Sequence, residues 1–241
     1  MLAQVRIRGL CSACLALASA ALIAACGGSS PETNNAASNG VASKPAAAIL
    51  SAAYSAVAQS KSAHISGVVR SEKQTITLDI DVLTGRGGKG SMSINGLSFE
   101  LISLGSRFYF KASSAFWQHY GGAGAAALFK GKWLQASAST SEFKSFAQLT
   151  NPHDLFQSLL HTGGDELVKT GISTVDGQRV IGVHDQTQGG TLYVATVGKP
   201  YPIEIEKSGS SGGRISINDF DETVSIAAPA GAISLSELKG Q

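Results

Sequence analysis

Thr75-Ile76-Thr77-Leu78-Asp79-Ile80-Asp81-Val82 alternates polar and apolar residues without a break. A period of two puts Ile76, Leu78, Ile80 and Val82 on one face of a strand and the threonines and aspartates on the other. This is the pattern of an antiparallel sheet with one packed face and one wet face. The alternation continues downstream. Residues 91–95 read as a strand carrying Met92 and Ile94. Leu97, Phe99 and Leu101 alternate with Ser98 and Glu100, and Phe108 and Phe110 with Arg107, Tyr109 and Lys111. The glycine-rich residues 85–90 and the pair Asn95-Gly96 read as the hairpin turns between these strands.

The same grammar returns in the last third. Residues 180–184, 192–197, 203–207 and 215–218 read as strands, with turns at Asp176-Gly177 and Gly189-Gly190. In Ile203-Glu204-Ile205-Glu206 the isoleucines are expected to face inward and the acids to face water. Helical signals bracket and divide the strands. Leu50, Tyr54 and Val57 recur at helical spacing after Pro45, which predicts an Ala-padded helix over residues 46–59. Ser139 with Glu142 matches a capping box ahead of Phe143 and Phe146. Asn151-Pro152 opens a further helix with Leu155, Phe156, Leu159 and Leu160 on one stripe, stopped by Gly163-Gly164. Residues 117–129 read either as two short helices or as a mobile loop. About nine or ten strands against some three helices, with no repeat of 20–50 residues, predict one α+β domain rather than two.

The N-terminus carries address information. Arg6 and Arg8 precede an uncharged Ala/Leu-rich stretch that is too short for a membrane span and reads as a signal-peptide core. It ends Leu22-Ile23-Ala24-Ala25-Cys26-Gly27, and small residues directly before a cysteine have the form of a bacterial lipobox. Cys26 is therefore the expected lipid-attachment site. Residues 27–44, GGSSPETNNAASNGVASK, are too polar to pack and predict a flexible tether with an end-to-end distance of roughly 20–25 Å. The expected organisation is signal 1–25, acylated Cys26 with tether 26–44, and a single domain over 45–241. Cys11 and Cys14 fall inside the signal, so beyond Cys26 the chain has no thiol or disulfide. The location expected is the extracytoplasmic side of the cell membrane, held by the lipid.

Charge narrows the function further. Lys and Arg number 19 against 17 Asp and Glu, a formal net charge of +2. Arg6 and Arg8 account for all of that excess, so the chain beyond residue 25 is neutral. No basic stripe is present, which excludes a nucleic-acid partner. Gly85-Arg86-Gly87-Gly88-Lys89-Gly90 has the letters of a dinucleotide loop, but that mechanism needs a helix N-terminus where residues 91–95 read as a strand. Gly209-Ser210-Ser211-Gly212-Gly213 has the letters of a nucleophile elbow yet links two strands. His64, His119, His153, His161 and His184 show no ligand spacing. No catalytic residue, metal or cofactor is expected, and the chain does not read as an enzyme.

Aliphatic inner positions facing Ala- and Gly-padded helices leave room for an apolar cavity. Its expected lining is Ile76, Leu78, Ile80, Val82, Met92, Ile94, Leu97, Phe99, Leu101, Phe108 and Phe110 from the sheet, with Leu155 and Leu159 from the helices.

The lipobox, tether, Ala-rich helix, strand run, helical middle and terminal strands together resemble the LppX/LprG-type bacterial lipoproteins, which have a LolA-like fold. Local stretches carry the resemblance: Phe108-Tyr109-Phe110-Lys111 followed by Trp117 and Gly131-Lys132-Trp133; Gly190-Thr191-Leu192-Tyr193-Val194; Gly198-Lys199-Pro200-Tyr201-Pro202-Ile203; and Phe220 with residues 224–229. It spans roughly residues 46–229. It implies a half-barrel sheet wrapped over helices, an apolar pocket for the acyl chains of a lipid or glycolipid, and carriage or presentation of that lipid in the cell envelope. Residues 117–129 are the expected entrance. The alternative it leaves open is a sensor or protein-interaction lipoprotein that regulates signalling, and the protein partner expected is a transporter or a regulator.

Overall fold

The structure, a computed structural model, describes residues 37–140 and 166–239. The signal, Cys26, tether residues 27–36 and the helices expected over residues 142–163, with Leu155 and Leu159, lie outside the described residues. The last part of the expected tether is not free: Ser38 bridges Val197, the Asn39 side chain donates to the Ala195 and Gly198 carbonyls, and Val41 is buried in the main core, because this stretch carries an apolar anchor and turn-forming side chains. Residues from Ala36 onward form one compact unit, and both hydrophobic clusters described below lie within it.

Two strand runs follow one helix. A 3-10 turn (Val41–Ser43) leads into α1 (Ala46–Ala58), which Pro45 caps without spending a donor. Then come β1 (Ser62–Arg70), β2 (Thr75–Leu83), β3 (Gly87–Ile94), β4 (Leu97–Leu104), β5 (Arg107–Ala112), α2 (Ser114–Phe129) and β6 (Leu134–Ser137). The second run is β7 (Leu167–Val175), β8 (Gln178–Asp185), β9 (Gly190–Ala195), β10 (Pro202–Lys207), β11 (Gly213–Asn218) and β12 (Ile233–Ser234), closed by α3 (Leu235–Lys239). All twelve strands share one sheet in the order β12-β6-β5-β4-β3-β2-β1-β11-β10-β9-β8-β7. Its ends, β12 and β7, do not pair with each other, so the sheet is open.

Turn chemistry fixes the register. Asn95 and Gly96 adopt φ 51° and 81°, and Asp176 and Gly177 adopt φ 47° and 77°. Two successive left-handed residues make the tight turn whose twist matches antiparallel strands. The sheet is not antiparallel throughout, as expected from sequence: β12 runs parallel to β6. Residues 138–232 separate the two in sequence, far more than the dozen or so residues a parallel pair requires, and residues 219–232 bring the chain from β11 to β12. The expected turn over 85–90 is also shorter. It occupies residues 84–86, and Gly87 already begins β3.

Those glycines have a different job inside the strand. A Cβ on Gly90 would overlap the Asp79 carbonyl oxygen on β2, and one on Gly67 would overlap the Arg214 carbonyl oxygen on β11. Glycine at both points lets neighbouring backbones approach more closely than any side chain permits, which is where a sheet bends.

The main core lies on one face of this sheet. α1 lies over β7 and β8 and buries Ile49, Ala53 and Val57 in the cluster that also holds Ile181, Val183, Leu192 and Val194. α2 packs Phe116, Trp117 and Phe129 over β4 and β5 on the same face. α2 resolves the two readings of residues 117–129 in favour of two short helices: they meet at Gly122, with φ 73° and ψ −175°.

Two expectations fail on the opposite face. Tyr109, expected in water, is 2% exposed. Glu204 is likewise 2% exposed. A β-bulge between Pro202 and Glu204 shifts the register there. It turns Ile203 away from the main core into a second cluster with Val180 and Ala195, while Ile205 keeps its inward position.

Candidate functional site

Cross-strand pairing assembles the inner wall in rows. Ile217, Ile65, Ile80, Gly90, Leu101, Phe110 and Leu134 form one continuous row across seven strands. Leu78, Met92, Phe99 and Ala112 form the next row toward the Asn95-Gly96 turn. Beyond it, Ile76, Ile94 and Leu97 form the outermost row. On the other side, Val82 and Phe108 belong to the row of Gly88 and Ser103. The described sheet residues expected to line a cavity therefore share one face. All except Leu97 belong to the main cluster or pack against it.

Burial along that wall is graded. Val82, Ile80, Leu101 and Phe108 are 0–1% exposed, whereas Leu78, Met92 and Phe99 are 5–8% exposed. Ile76, Ile94 and Leu97 are only half-buried. The cover thins row by row toward the turn ends of β2, β3 and β4.

The root of α2 stands over this thinner end. Ser113 caps the helix by accepting the Phe116 amide, and its own amide donates to the Ser98 carbonyl on β4. The Phe116 ring lies 5.6 Å from Phe99, Trp117 lies 5.6 Å from Phe110, and Phe129 lies 5.1 Å from Trp117. The first two contacts clamp the first half of α2 to the wall, and the third folds its second half back onto Trp117. The Trp117 indole N–H is buried without a hydrogen-bond partner, an unused donor inside an otherwise apolar wall. At the rim, Lys111 pairs with Glu100 at 2.7 Å and lies 5.0 Å from the Trp133 ring centre.

A separate open groove of about 560 Å³ runs along the outward side of α1, past Lys44, Ala48, Ser51, Ala52, Ser55 and Gln59 to Lys199 and Pro200. None of the residues expected to line a cavity borders it. At its end, Lys199 donates to Asp221 at 2.7 Å and to the Tyr201 hydroxyl at 3.0 Å. The Lys199 hydrogen bond, chiefly, holds the Asp221 carboxyl well below the usual carboxylate range, and the Lys61 amide and Tyr201 hydroxyl add to it. Tyr201 stacks on Phe220 at 3.9 Å. This knot ties the β9–β10 turn to the chain leaving β11.

Among the described residues no group of three His, Cys, Asp or Glu side chains could hold a metal. His64 meets Asp81 at 2.9 Å and His184 meets the Thr191 hydroxyl at 3.0 Å. The 209–213 stretch is the turn between β10 and β11.

No protein-family model matches the chain, and no curated relative does. Solved structures do. LprF from Mycobacterium bovis aligns with a TM-score of 0.52 at 16% identity, covering 77% of this chain and 97% of LprF. The Mycobacterium tuberculosis lipoprotein LppX aligns with a TM-score of 0.47 at 16% identity, over 76% of this chain and 98% of LppX. The LolA-superfamily protein NE2245 from Nitrosomonas europaea aligns over 76% of this chain at 10% identity, with a TM-score of 0.24. The fold assignment rests on LprF, and at that identity it concerns architecture alone. The chain has the α+β fold of LprF: an open twelve-stranded sheet laid over helices.

Proposed function

We propose that this chain is an envelope lipoprotein, attached to the membrane through Cys26, that takes the acyl chains of a lipid or glycolipid into its curved sheet and carries or presents them. The observation that supports this reading is the graded inner wall. It is closed at Ile80 and Leu101 and opens through Leu78, Met92 and Phe99 to the half-buried Ile76, Ile94 and Leu97. An acyl chain entering at the open end meets aliphatic and aromatic surface at every step and no charged group. Each buried methylene contributes ~0.8 kcal/mol, so chain length alone supplies affinity. The Trp117 N–H, buried and unpaired, would donate to an ester carbonyl at the level of the aromatic clamp. Residues 1–25 act as the export signal and 27–36 as the tether in this reading, since Ser38 to Val41 are held on the domain. The chemistry is binding, with no bond made or broken.

The test is titration with a fluorescent fatty-acyl probe. The parent chain should bind it, and Leu78→Glu and Phe99→Glu should lose at least about tenfold in affinity. Ile94→Trp narrows the open end without burying a charge, and circular dichroism confirms that it folds. An Ile94→Trp variant that is folded and binds like the parent would sink the proposed entry route.

A further inference from the structure

We propose that α2 is a bilayer-docking surface, which seats on anionic lipid headgroups through Lys130 and Lys132 and dips Tyr120 and Leu128 into the interface. This goes beyond the lipid-carrying reading, because it requires no ligand inside the sheet.

The sequence around α2 is unusual in its charge. Residues 101–141 contain no Asp or Glu, yet hold Arg107, Lys111, Lys130 and Lys132. Within that stretch, residues 112–129 carry no Lys or Arg either. A helix polar on one face is expected to show charge toward water; this one shows none. The structure makes the point sharper. No residue of α2 is fully buried, residues 118–124 are all exposed, Tyr120 is 58% exposed and Leu128 51%. The roots of the helix are nevertheless fixed, because Phe116 and Trp117 are clamped on Phe99 and Phe110, and Phe129 packs on Trp117 against the main cluster. An anchored, kinked helix without Asp, Glu, Lys or Arg thus presents two of its large side chains to solvent: Leu128, and Tyr120 with its ring set 4.7 Å from Phe116.

The surrounding charges select the partner. Lys111 is committed to Glu100. Lys130 and Lys132 are exposed and have no ion pair among the described residues. Basic residues at the border of an apolar surface, with tyrosine and tryptophan beside them, match the headgroup layer of an anionic membrane. Each lysine brought to such a surface adds attraction that salt screens. Docking this way would present the thin end of the inner wall to the bilayer, since α2 stands over it.

Sedimentation with vesicles tests this directly. The chain from residue 36 onward, which carries both hydrophobic clusters but no anchor, is mixed with phosphatidylcholine vesicles with or without about 30 mol% phosphatidylglycerol. Binding should occur on the anionic vesicles and weaken with salt. The double variants Tyr120→Ser/Leu128→Ser and Lys130→Glu/Lys132→Glu should each bind at least about tenfold more weakly. Ile172→Ser, which removes an apolar side chain 53% exposed on β7, should bind like the parent. A second readout needs no variant. The chain has two tryptophans, Trp117 and Trp133, within α2 and just beyond its end, so brominated lipid should quench its intrinsic fluorescence. Absence of anionic preference, unweakened binding in both double variants, or unquenched tryptophans would each overturn the proposal and leave a protein partner for this surface. Uptake of the fluorescent acyl probe in vesicle-free solution separates the two readings: it should persist in the α2 variants even if docking fails.

Discussion

Glu204 keeps the outer face that alternation gives it, paired with Tyr193, but is buried there instead of wet. It is buried, its Oε2 has no hydrogen-bond partner, and the Arg214 guanidinium stands 3.5 Å away. Burial pushes its carboxyl above the ordinary value of 4.5, with Arg214 opposing the rise. A carboxyl whose folded pKa is raised holds its proton more tightly in the folded state. Its cost is thus present at neutral pH and is relieved as pH falls through the folded pKa toward 4.5. Glu204→Gln should therefore raise the urea midpoint at pH 7 and flatten its change between pH 7 and pH 5. An unchanged pH profile would show that Glu204 is not the group responsible. Sequence alternation placed this residue in water because a bulge leaves no mark in a four-residue pattern: Ile203 and Ile205 look alike as letters, and only the register shift sends them to opposite faces. Tyr109 escaped for another reason. Alternation assumes one wet face, and here β5 is covered on both, with Phe108, Tyr109 and Phe110 all buried.

At the scale of elements, the glycines separate into two kinds. Gly90→Ala drives a methyl into the Asp79 carbonyl oxygen, and backbone cannot step aside as a side chain can. It should cost about 1–3 kcal/mol in chemical denaturation. Gly124 in α2 has open space where a Cβ would go and no positive φ. Gly124→Ala should leave stability unchanged or raise it by about 0.5–1 kcal/mol, since alanine is the better helix former. Equal effects at the two positions would remove the argument that glycine bends the sheet at Gly90. The elements most legible in the sequence were those with an unbroken period. β2, β5 and α1 lie within a residue or two of where alternation and helical spacing put them, and β4 runs three residues past its 97–101 alternation. β7 offered no such signal, because this edge strand is mostly exposed and carries no one-sided apolar pattern. The 85–90 stretch misled for a related reason: glycine marks a turn in sequence, while in β3 it marks the close approach of two strands.

The whole molecule joins a neutral chain beyond residue 25 to a sheet with a one-sided apolar wall. Interior occupancy in solution should therefore be nearly indifferent to ionic strength, whereas vesicle docking through α2 should fall steeply with it. Parallel salt series with the acyl probe and with vesicles would distinguish these behaviours. The one-face assembly of Ile76 to Phe110 was legible from period two alone, because hairpins of fixed turn type stack like residues in rows. The grading of burial along those rows was not, since it depends on where α2 lands. The most direct measurement is native mass spectrometry of the protein extracted from its own membranes. The account predicts adducts whose masses correspond to acylated lipids, present in the parent and lost or sharply reduced in folded Ile94→Trp. A folded parent that retains no lipid, and accepts none when lipids are added back, would contradict it.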